Sequence, residues 1–554
     1  DQDYSLNSTY ILKVYNNGGI IVNPNKTLTI NGSADFGNRP VLFKSDATGY
    51  GQLGKVSGTI TGATNVQSEN YVAALRAYRL LTSPVTTTTS IRDNWQEGSN
   101  NTSLGYANNQ NPNPGFGTHI TGSATGLNGF DATATGNPSL YTFTNATQAW
   151  SAIANTNNTA LTVGQPYRLM VRGDRSIDLS TNTPNATHTV LRATGALQVG
   201  NLSTTLSTTA NHYNLVANPY QAPINAYTMF AAGNGTFQNI NNQFFYVWDV
   251  NLGSRGAYSA VSINTSNINN PTYSATGGST HTQMTAPWEA FFIKTLNDGP
   301  ASITFKESYK NNPLVPMGRT NNVQESSSLI LNLKGLQTNG SYNYVDGIRL
   351  DFGADYSLAI DQFDAEKFIN LDEDVAIQKQ NQLLTVERRA IPTATETVPL
   401  QVTKYRSTSY VFENQAVGLD GVQAFLKDNY TNTLHELEGT PYAFTVNTAI
   451  PASIQVNRFE LVFQATALGN SDFANEIAVY PNPSKGSTGF YITGIPANTK
   501  VELFSLLGQS LPLQTALNGS TLHVQPMGHV GHGVYVVQVT TNEGLTQQVK
   551  WIVD

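Results

Sequence analysis

The sequence predicts an all-β protein of several domains, β-sandwiches or jelly-roll-like layers, and three observations carry that reading. Short runs such as "KTLTING", "YRLMVRG", "FFYVWDV", "LILNLKG" and "VYVVQVT" alternate apolar and polar residues along the whole chain, between Gly, Asn and Pro. A period of two sends one face of a strand into a core and the other into water. The 554 residues exceed what a single core sustains, roughly 250–300 residues, so several cores are expected. Charged residues are 12% of the chain, about half the usual share, and Thr, Asn, Ser and Gly take their place. Such a polar, uncharged surface suits an extracellular β-protein. The 26 Tyr and 23 Phe are ample for sizeable cores.

Composition also excludes whole classes. The net charge is −7 and no Lys/Arg run exceeds two residues, so the basic footprint of a nucleic-acid binder is missing. No run of about 18 apolar residues is long enough for a membrane-spanning helix. The absence of Cys removes disulfides, thiolate nucleophiles and Cys-ligated zinc. The sequence begins at Asp1 without a signal peptide, which reads as a mature form or a piece of something longer.

Residues 1–64 are expected to form a short β segment. "VNPNKTLTING" resembles a rung of a β-solenoid cap, and an extra hairpin pair on the next domain is the other reading. Residues 65–310 contain an internal repeat. "YRLLTSP" (78–84) and "YNLVANP" (213–219) share Y-x-L-[LV]-x-[SN]-P. Each is followed by an aromatic strand, "LYTF" and "FYVW", and then by a Pro-aromatic strand, "GQPYRLMV" and "TAPWEAFFI". Two related β sheets facing each other would explain the order. "YVAALRAYRLL" and "NAYTMFAAG" are expected to hold at most a turn or two of helix. Residues 311–328 have the Pro, Asn and Ser content of a linker. A β-sandwich of immunoglobulin-like size is expected over 329–464, a second linker over 465–474, and a final module over 475–554.

That final module opens with "VYPNPSKG". Pro481 and Pro483 fix φ and remove two backbone donors, Asn482 tolerates turns, and Gly486 permits a positive φ. Tyr480-Pro481-Asn482-Pro483 at the head is followed by the Leu507-Gly508 turn, by Gly533 and Tyr535 in "GVYVV", and by Lys550 and Trp551 in the terminal apolar strand. In order, spacing and terminal position this resembles the type A C-terminal sorting domain of Bacteroidota type IX secretion cargo. The resemblance implies a small seven-stranded immunoglobulin-like sandwich. It implies as partners the outer-membrane translocon, its shuttle β-barrel and a sorting peptidase that cuts within 465–475. The passenger would then be attached to lipopolysaccharide or released. The preceding β-sandwich and the "YRLLTSP … NPY … FFI" region also resemble modules found ahead of such sorting domains in large surface proteins. The final strands, with an exposed edge, and the turns beside them are expected to face the shuttle, with shape mattering more than charge.

Motifs for catalysis are missing: no G-x-S-x-G elbow, HExxH, P-loop or G-x-G-x-x-G occurs. His529 and His532 lie close in a Gly-rich stretch that reads as a polar turn. The acidic run from Asp351 to Asp374 reads as a solvated face, with calcium as the alternative, since carboxylates on a loop suit a hard cation. Arg172-Gly173-Asp174 reads as a strand-end turn. Asp93, Glu97, Asp249, Glu289 and Glu307 are the default carboxylates for glycoside hydrolysis, and no spacing singles out a pair. Trp95, Trp150 and Trp248 could stack on sugar rings or fill cores. No cofactor and no catalytic or metal residue is therefore expected. The sequence reads as a secreted, surface-displayed passenger, a non-catalytic adhesin or structural protein. The alternative is the C-terminal, substrate-binding part of an extracellular hydrolase.

Overall fold

The computed structural model describes residues 3–15, 17–181, 185–230, 236–263, 275–310, 327–419, 421–465, 477–485, 488–495, 499–519, 521–540 and 546–554. Two compact units follow each other, residues 1–464 and 465–554. The expected linker at 311–328 lies outside the described residues except for its last two. Of the linker at 465–474, only Ala465 is described.

The first unit begins with stacked parallel strands. Tyr4–Leu6, Thr27–Ile30 and Gln52–Leu53 form one face, with Tyr4 beside Leu28 and Leu28 beside Leu53. Ile11–Lys13, Ser33–Asp35 and Ile60–Thr61 form a second face, and Ile20–Val22, Val41–Phe43 and the start of Val66–Val72 a third. Each rung consumes roughly two dozen residues, the repeat length of a β-solenoid. Leu28, Ile30, Phe43 and Leu53 fill its interior. The corners are tight: a Cβ on Gly58 would stand 1.7 Å from the Gly32 carbonyl oxygen. Val66–Val72 then pairs antiparallel with Thr189–Leu197, so the last rung runs on into the next sheets.

The two stretches that share the sequence motif form two four-stranded antiparallel sheets of the same connectivity. The first runs Ala77–Leu81, Tyr167–Val171, Leu140–Thr144, Ala149–Ala152 across the sheet. The second runs Tyr213–Ala217, Ala290–Lys294, Phe244–Asp249, Ala257–Ser262. In both, the last strand in sequence lies beside the first. Alternation gives each sheet two apolar faces. Leu81, Leu140, Tyr167 and Leu169 of the first sheet join the solenoid core. Val216, Phe245, Val247 and Phe291 of the second fill a separate core. The remaining faces meet: Leu80, Leu215, Phe244, Tyr246 and Phe292 pack together. The Leu81–Glu289 bridge and the bond from Thr82 N to Trp288 O, 2.9 Å, tie the sheets along one side.

The first candidate, residues 71–81, holds no helix: 71–72 end one strand, 77–81 form the next, and a short connection joins them, with Leu80 and Leu81 serving opposite sheet faces. The second candidate does hold a helical turn, Ala226–Phe230. A further short helix, Ile91–Trp95, starts at a capping box in which Ser90 and Asp93 bond each other's backbone N–H.

An eleven-stranded sheet wraps around one core after residue 326. It runs from Thr433–Glu436 at one edge through Val422–Asp428, Phe459–Ala465, Thr397–Thr403, Asp374–Lys379 and Gln382–Arg389. It continues through Tyr342–Phe352, Ser327–Leu336 and Ser409–Val417 to Tyr442–Thr445, with Ala365–Glu366 paired off the path. Leu331, Ile348, Leu384, Leu400, Phe412, Leu461 and Phe463 are buried within it.

The acidic run does not form a solvated face. Asp351, Asp364, Asp372, Glu373 and Asp374 are buried. Burial is tolerated because cations meet them: Arg349 and Arg388 meet Asp351, Arg255 and Arg406 meet Asp372, and Lys404 meets Asp374. Lys367, itself buried, binds Asp346 at 2.6 Å and lies 3.8 Å from Asp374. Arg255 lies in the turn joining two strands of the second repeated sheet, and Lys294, on a third strand, binds Glu366 at 2.9 Å. The run thus clamps that sheet to the eleven-stranded one.

The second unit has two four-stranded sheets around one core. Ala478–Tyr480, Phe490–Thr493, Thr521–Pro526 and Leu513–Asn518 make the first. Ser510–Leu511, Lys500–Ser505, Gly533–Thr540 and Thr546–Val553 make the second. Seven are strands of three residues or more and Ser510–Leu511 is a two-residue addition. Phe490, Leu503, Val524, Val537 and Trp551 are fully buried between the sheets.

Candidate functional site: an aromatic cavity between the repeated sheets

Where the inner faces of the repeated sheets part, they leave a cavity of about 320 Å³. The first sheet contributes Tyr78, Phe143, Trp150 and Arg168. The second contributes Tyr213, Trp248, Tyr258 and Phe292. The acidic run closes it with Phe368, Ile369 and Leu371, and Gln148 lies at its rim. Four of these residues come from matched places in the repeat: Tyr78 with Tyr213, and Phe143 with Trp248. The walls are rigid, because neighbouring rings meet edge to face. Phe143 touches Trp150 at 5.1 Å and Phe292 at 5.2 Å, and Trp248 touches Tyr258 at 4.8 Å. Phe368 adds contacts to Tyr213 at 4.2 Å and to Tyr258 at 4.8 Å. Seven of the eight lining rings are half-buried, so they present faces to the cavity while their edges pack.

Electrostatically the cavity holds one charge. Arg168 places its guanidinium carbon 4.1 Å from the Trp150 ring centre, 4.6 Å from Tyr141 and 5.0 Å from Tyr78. Among the described residues it has no carboxylate partner, and its buried Nε has no hydrogen-bond acceptor. Cation–π attraction accounts for its position. Burial pushes the Tyr258 hydroxyl up to about 12 and lifts Tyr213 well above the usual phenol value, helped by Tyr246 and the Glu366 carboxylate that Tyr213 hydrogen-bonds at 2.8 Å. These phenols therefore stay protonated at neutral pH. Among the described residues no Asp or Glu lines the cavity. Its chemistry is that of holding a ring-shaped ligand.

The other sequence candidates have structural partners. Trp95 is fully buried and meets Tyr167 at 5.4 Å, so it fills a core, whereas Trp150 and Trp248 line the cavity. Asp93 caps its helix, Glu97 pairs with Arg192, and Glu307 accepts from Lys310 at 2.8 Å and from the Val56 N–H at 3.0 Å. Asp249 and Glu289 do come together, on either side of His281, at 3.4 and 3.5 Å. Burial alone would lower the His281 pKa, but hydrogen bonds to these carboxylates raise it to about 10. The imidazolium is thus an ion-pair centre at neutral pH. Asp174 of the Arg-Gly-Asp tripeptide is buried and accepts from Gly115 N and Ser176 N, so it faces inward. His529 and His532 are exposed, and no cluster of three or more His, Asp or Glu among the described residues is arranged to hold a metal ion.

In the second unit, the residues at the head of the module grip its end. Asn482 donates from Nδ2 to Lys550 O at 2.7 Å and accepts at Oδ1 from Ile552 N–H at 2.8 Å. A side-chain amide here stands in for a strand residue. Ser484 continues the contact as a parallel bridge to Val553. The expected open edge is therefore covered over its last residues, and Trp551 and Val553 are buried, so they act through packing. Tyr480 stacks on Tyr491 at 5.7 Å, and Tyr535 meets Trp551 at 5.7 Å and donates to Gly531 O. Gly533 opens its strand opposite Val553. Gly508, at φ +80, ends a turn whose Leu507 is 89% exposed, and the Lys550 side chain is exposed. Pro481 and Pro483 flank Asn482 in this grip, and Gly486 lies outside the described residues.

Comparison with known proteins gives two family matches. Residues 3–463 match the family described as Domain of unknown function (DUF8693), and residues 478–554 match the secretion system C-terminal sorting domain. Ulvan lyase NLR42 of Nonlabens ulvanivorans is 35% identical over 78 residues, which span 14% of this chain and 14% of that protein. A solved structure of PorZ, described as an essential bacterial surface component of the type IX secretion system of Porphyromonas gingivalis, aligns over 64% of this chain and 43% of its own. Its identity is 13% and its TM-score 0.13, too low to bear on this fold. The chain belongs to the DUF8693 family and, through its C-terminal sorting domain, is a cargo protein of the type IX secretion system, exported to the cell surface or the extracellular space.

Proposed function

We propose that this protein is a non-catalytic adhesin that binds glycans in the cavity between its repeated sheets. The observation that carries the reading is the cavity itself: half-buried aromatic rings from equivalent places in both repeats line about 320 Å³ with no carboxylate among them. Binding pockets of this kind are mostly apolar, with few polar groups to fix orientation. Flat ring faces suit the C–H faces of a pyranose, and a second sugar can extend toward the exposed Ile369 and Leu371. A glycan array probed with the full chain, followed by calorimetry on the best ligand, tests this. Trp150→Ala or Trp248→Ala is expected to weaken binding about tenfold or more, the equivalent of about 1.4 kcal/mol. An array without a ligand, or affinities unchanged by both substitutions, would refute it.

The sorting unit then serves delivery. We place the outer-membrane translocon and shuttle β-barrel against its turns, including the exposed Leu506–Leu507 pair. The sorting peptidase cuts within 465–475, leaving the passenger on lipopolysaccharide or free. Mass spectrometry of the surface-exposed form reads the cut site directly, and an uncleaved C-terminus there would refute the cleavage step.

A further inference from the structure

We infer that Arg168 makes the cavity selective for sugars that carry a carboxylate, such as uronic acids. This rests on the reading of the cavity as a glycan site and names its ligand class. Arg168 is a permanent cation on the strand Tyr167–Val171, and it lines the cavity. Some other partly buried cations of this unit have a carboxylate partner, as Arg175 has Asp131, Arg192 has Glu97, Arg255 has Asp372 and Lys294 has Glu366, while Arg76, Arg79 and Arg172 have none among the described residues and do not line the cavity. Arg168 lines the cavity and has none among the described residues. Leaving a buried N–H without an acceptor costs stability, and a ligand in the cavity that supplies the acceptor recovers that cost.

The surroundings restrict what that acceptor is. The guanidinium carbon lies over the rings of Trp150, Tyr141 and Tyr78, 4.1–5.0 Å from their centres. A planar carboxylate with two oxygens matches the paired N–H fork of a guanidinium. Among the described residues no second cation lines the cavity, which matches a ligand of one negative charge. The sugar ring that bears the carboxylate then lies against Trp248, Tyr258 or Phe368, within the same walls.

The test needs no variant at first. Calorimetry on the full chain compares trigalacturonic acid, its methyl ester and a sulfated galactotriose. The free acid is expected to bind about tenfold or more tightly than the ester, since a hydrogen-bonded charge is lost on esterification. Raising the salt concentration narrows the gap, because the cavity opens to solvent. Equal affinity for acid and ester, equal affinity for the sulfated sugar, or no binding of the acid would overturn the inference. Arg168→Gln is expected to bring the acid-to-ester ratio to about one, and Arg168→Lys to restore part of it. If Trp150→Ala abolishes binding while Arg168→Gln leaves the acid preference intact, the cavity stands and the role of Arg168 falls. If the acid preference survives and Trp150→Ala has no effect, the cavity is not the site and both readings fall.

Discussion

Replacing Asn482 by Ala probes the grip that the head of the sorting module holds on its last strand. The substitution removes two hydrogen bonds, Nδ2 to Lys550 O at 2.7 Å and Ile552 N to Oδ1 at 2.8 Å. A typical intramolecular bond contributes about 0.5–1.5 kcal/mol net. Two such bonds sum to about 1–3 kcal/mol; both sit at exposed positions, so the freed backbone groups regain water and the loss falls in the lower part, about 1–2 kcal/mol. The Ser484 contacts to Ile552 O and Asp554 N remain at 2.9 Å, so the strand stays docked. For a domain of this size each kcal/mol moves the midpoint by about 4–8 °C, which predicts a fall of roughly 4–16 °C. Scanning calorimetry of the full chain reads it, since the two compact units can melt as separate transitions. Trp551→Ala, which empties a fully buried position, assigns the transition of the second unit. Asn482→Asp keeps an acceptor for Ile552 but turns the donor into an anion facing a carbonyl. It should destabilise at pH 7 and recover below about pH 4 as the carboxyl protonates. A transition unmoved by Asn482→Ala would refute the reasoning.

Other outcomes follow from the first unit. The His281 pKa is raised to about 10, so its ion pairs stabilise fully below the unfolded value of 6.5 and fade as pH rises through 10. His281→Gln should therefore reduce the loss of stability between pH 7 and 10, measured by urea unfolding. Lys367→Met leaves Asp346 buried without its cation and should cost about 3–5 kcal/mol, read as a lower urea midpoint. Gly58→Ala drives a Cβ into the Gly32 carbonyl of the neighbouring rung and should cost about 1–3 kcal/mol by the same assay. Deleting residues 475–554 should leave a folded passenger in the periplasm, because residues 1–464 contain their own cores; surface display of the truncated form would contradict this.

The motif tyrosines show how far the sequence reached toward the site. Tyr78 and Tyr213 were picked out by the repeat, and both line the cavity, as do Phe143 and Trp248 from the paired aromatic strands. Arg168 was within the quoted "GQPYRLMV" strand but carried no signal, because an Arg in a strand reads as a solvent-facing residue until its neighbours are known. Phe368 and Leu371 were hidden in a stretch whose charge density suggested exposure. Asp351, Asp372 and Asp374 of that stretch are buried because Arg388, Arg255 and Lys404, distant in sequence, reach them, while Asp355 and Asp361 stay exposed.

The sequence by itself determined the all-β class, the repeated order of aromatic strands and the sorting module. Alternation, turn residues and motif order are local properties, written in consecutive residues. Only the tertiary structure decided that the first strands stack as parallel rungs, that the repeated sheets face each other, and that one unpaired guanidinium stands among their rings. Those facts depend on which faces meet across a hundred residues or more, and a strand pattern fixes its own two faces without naming the partner of either.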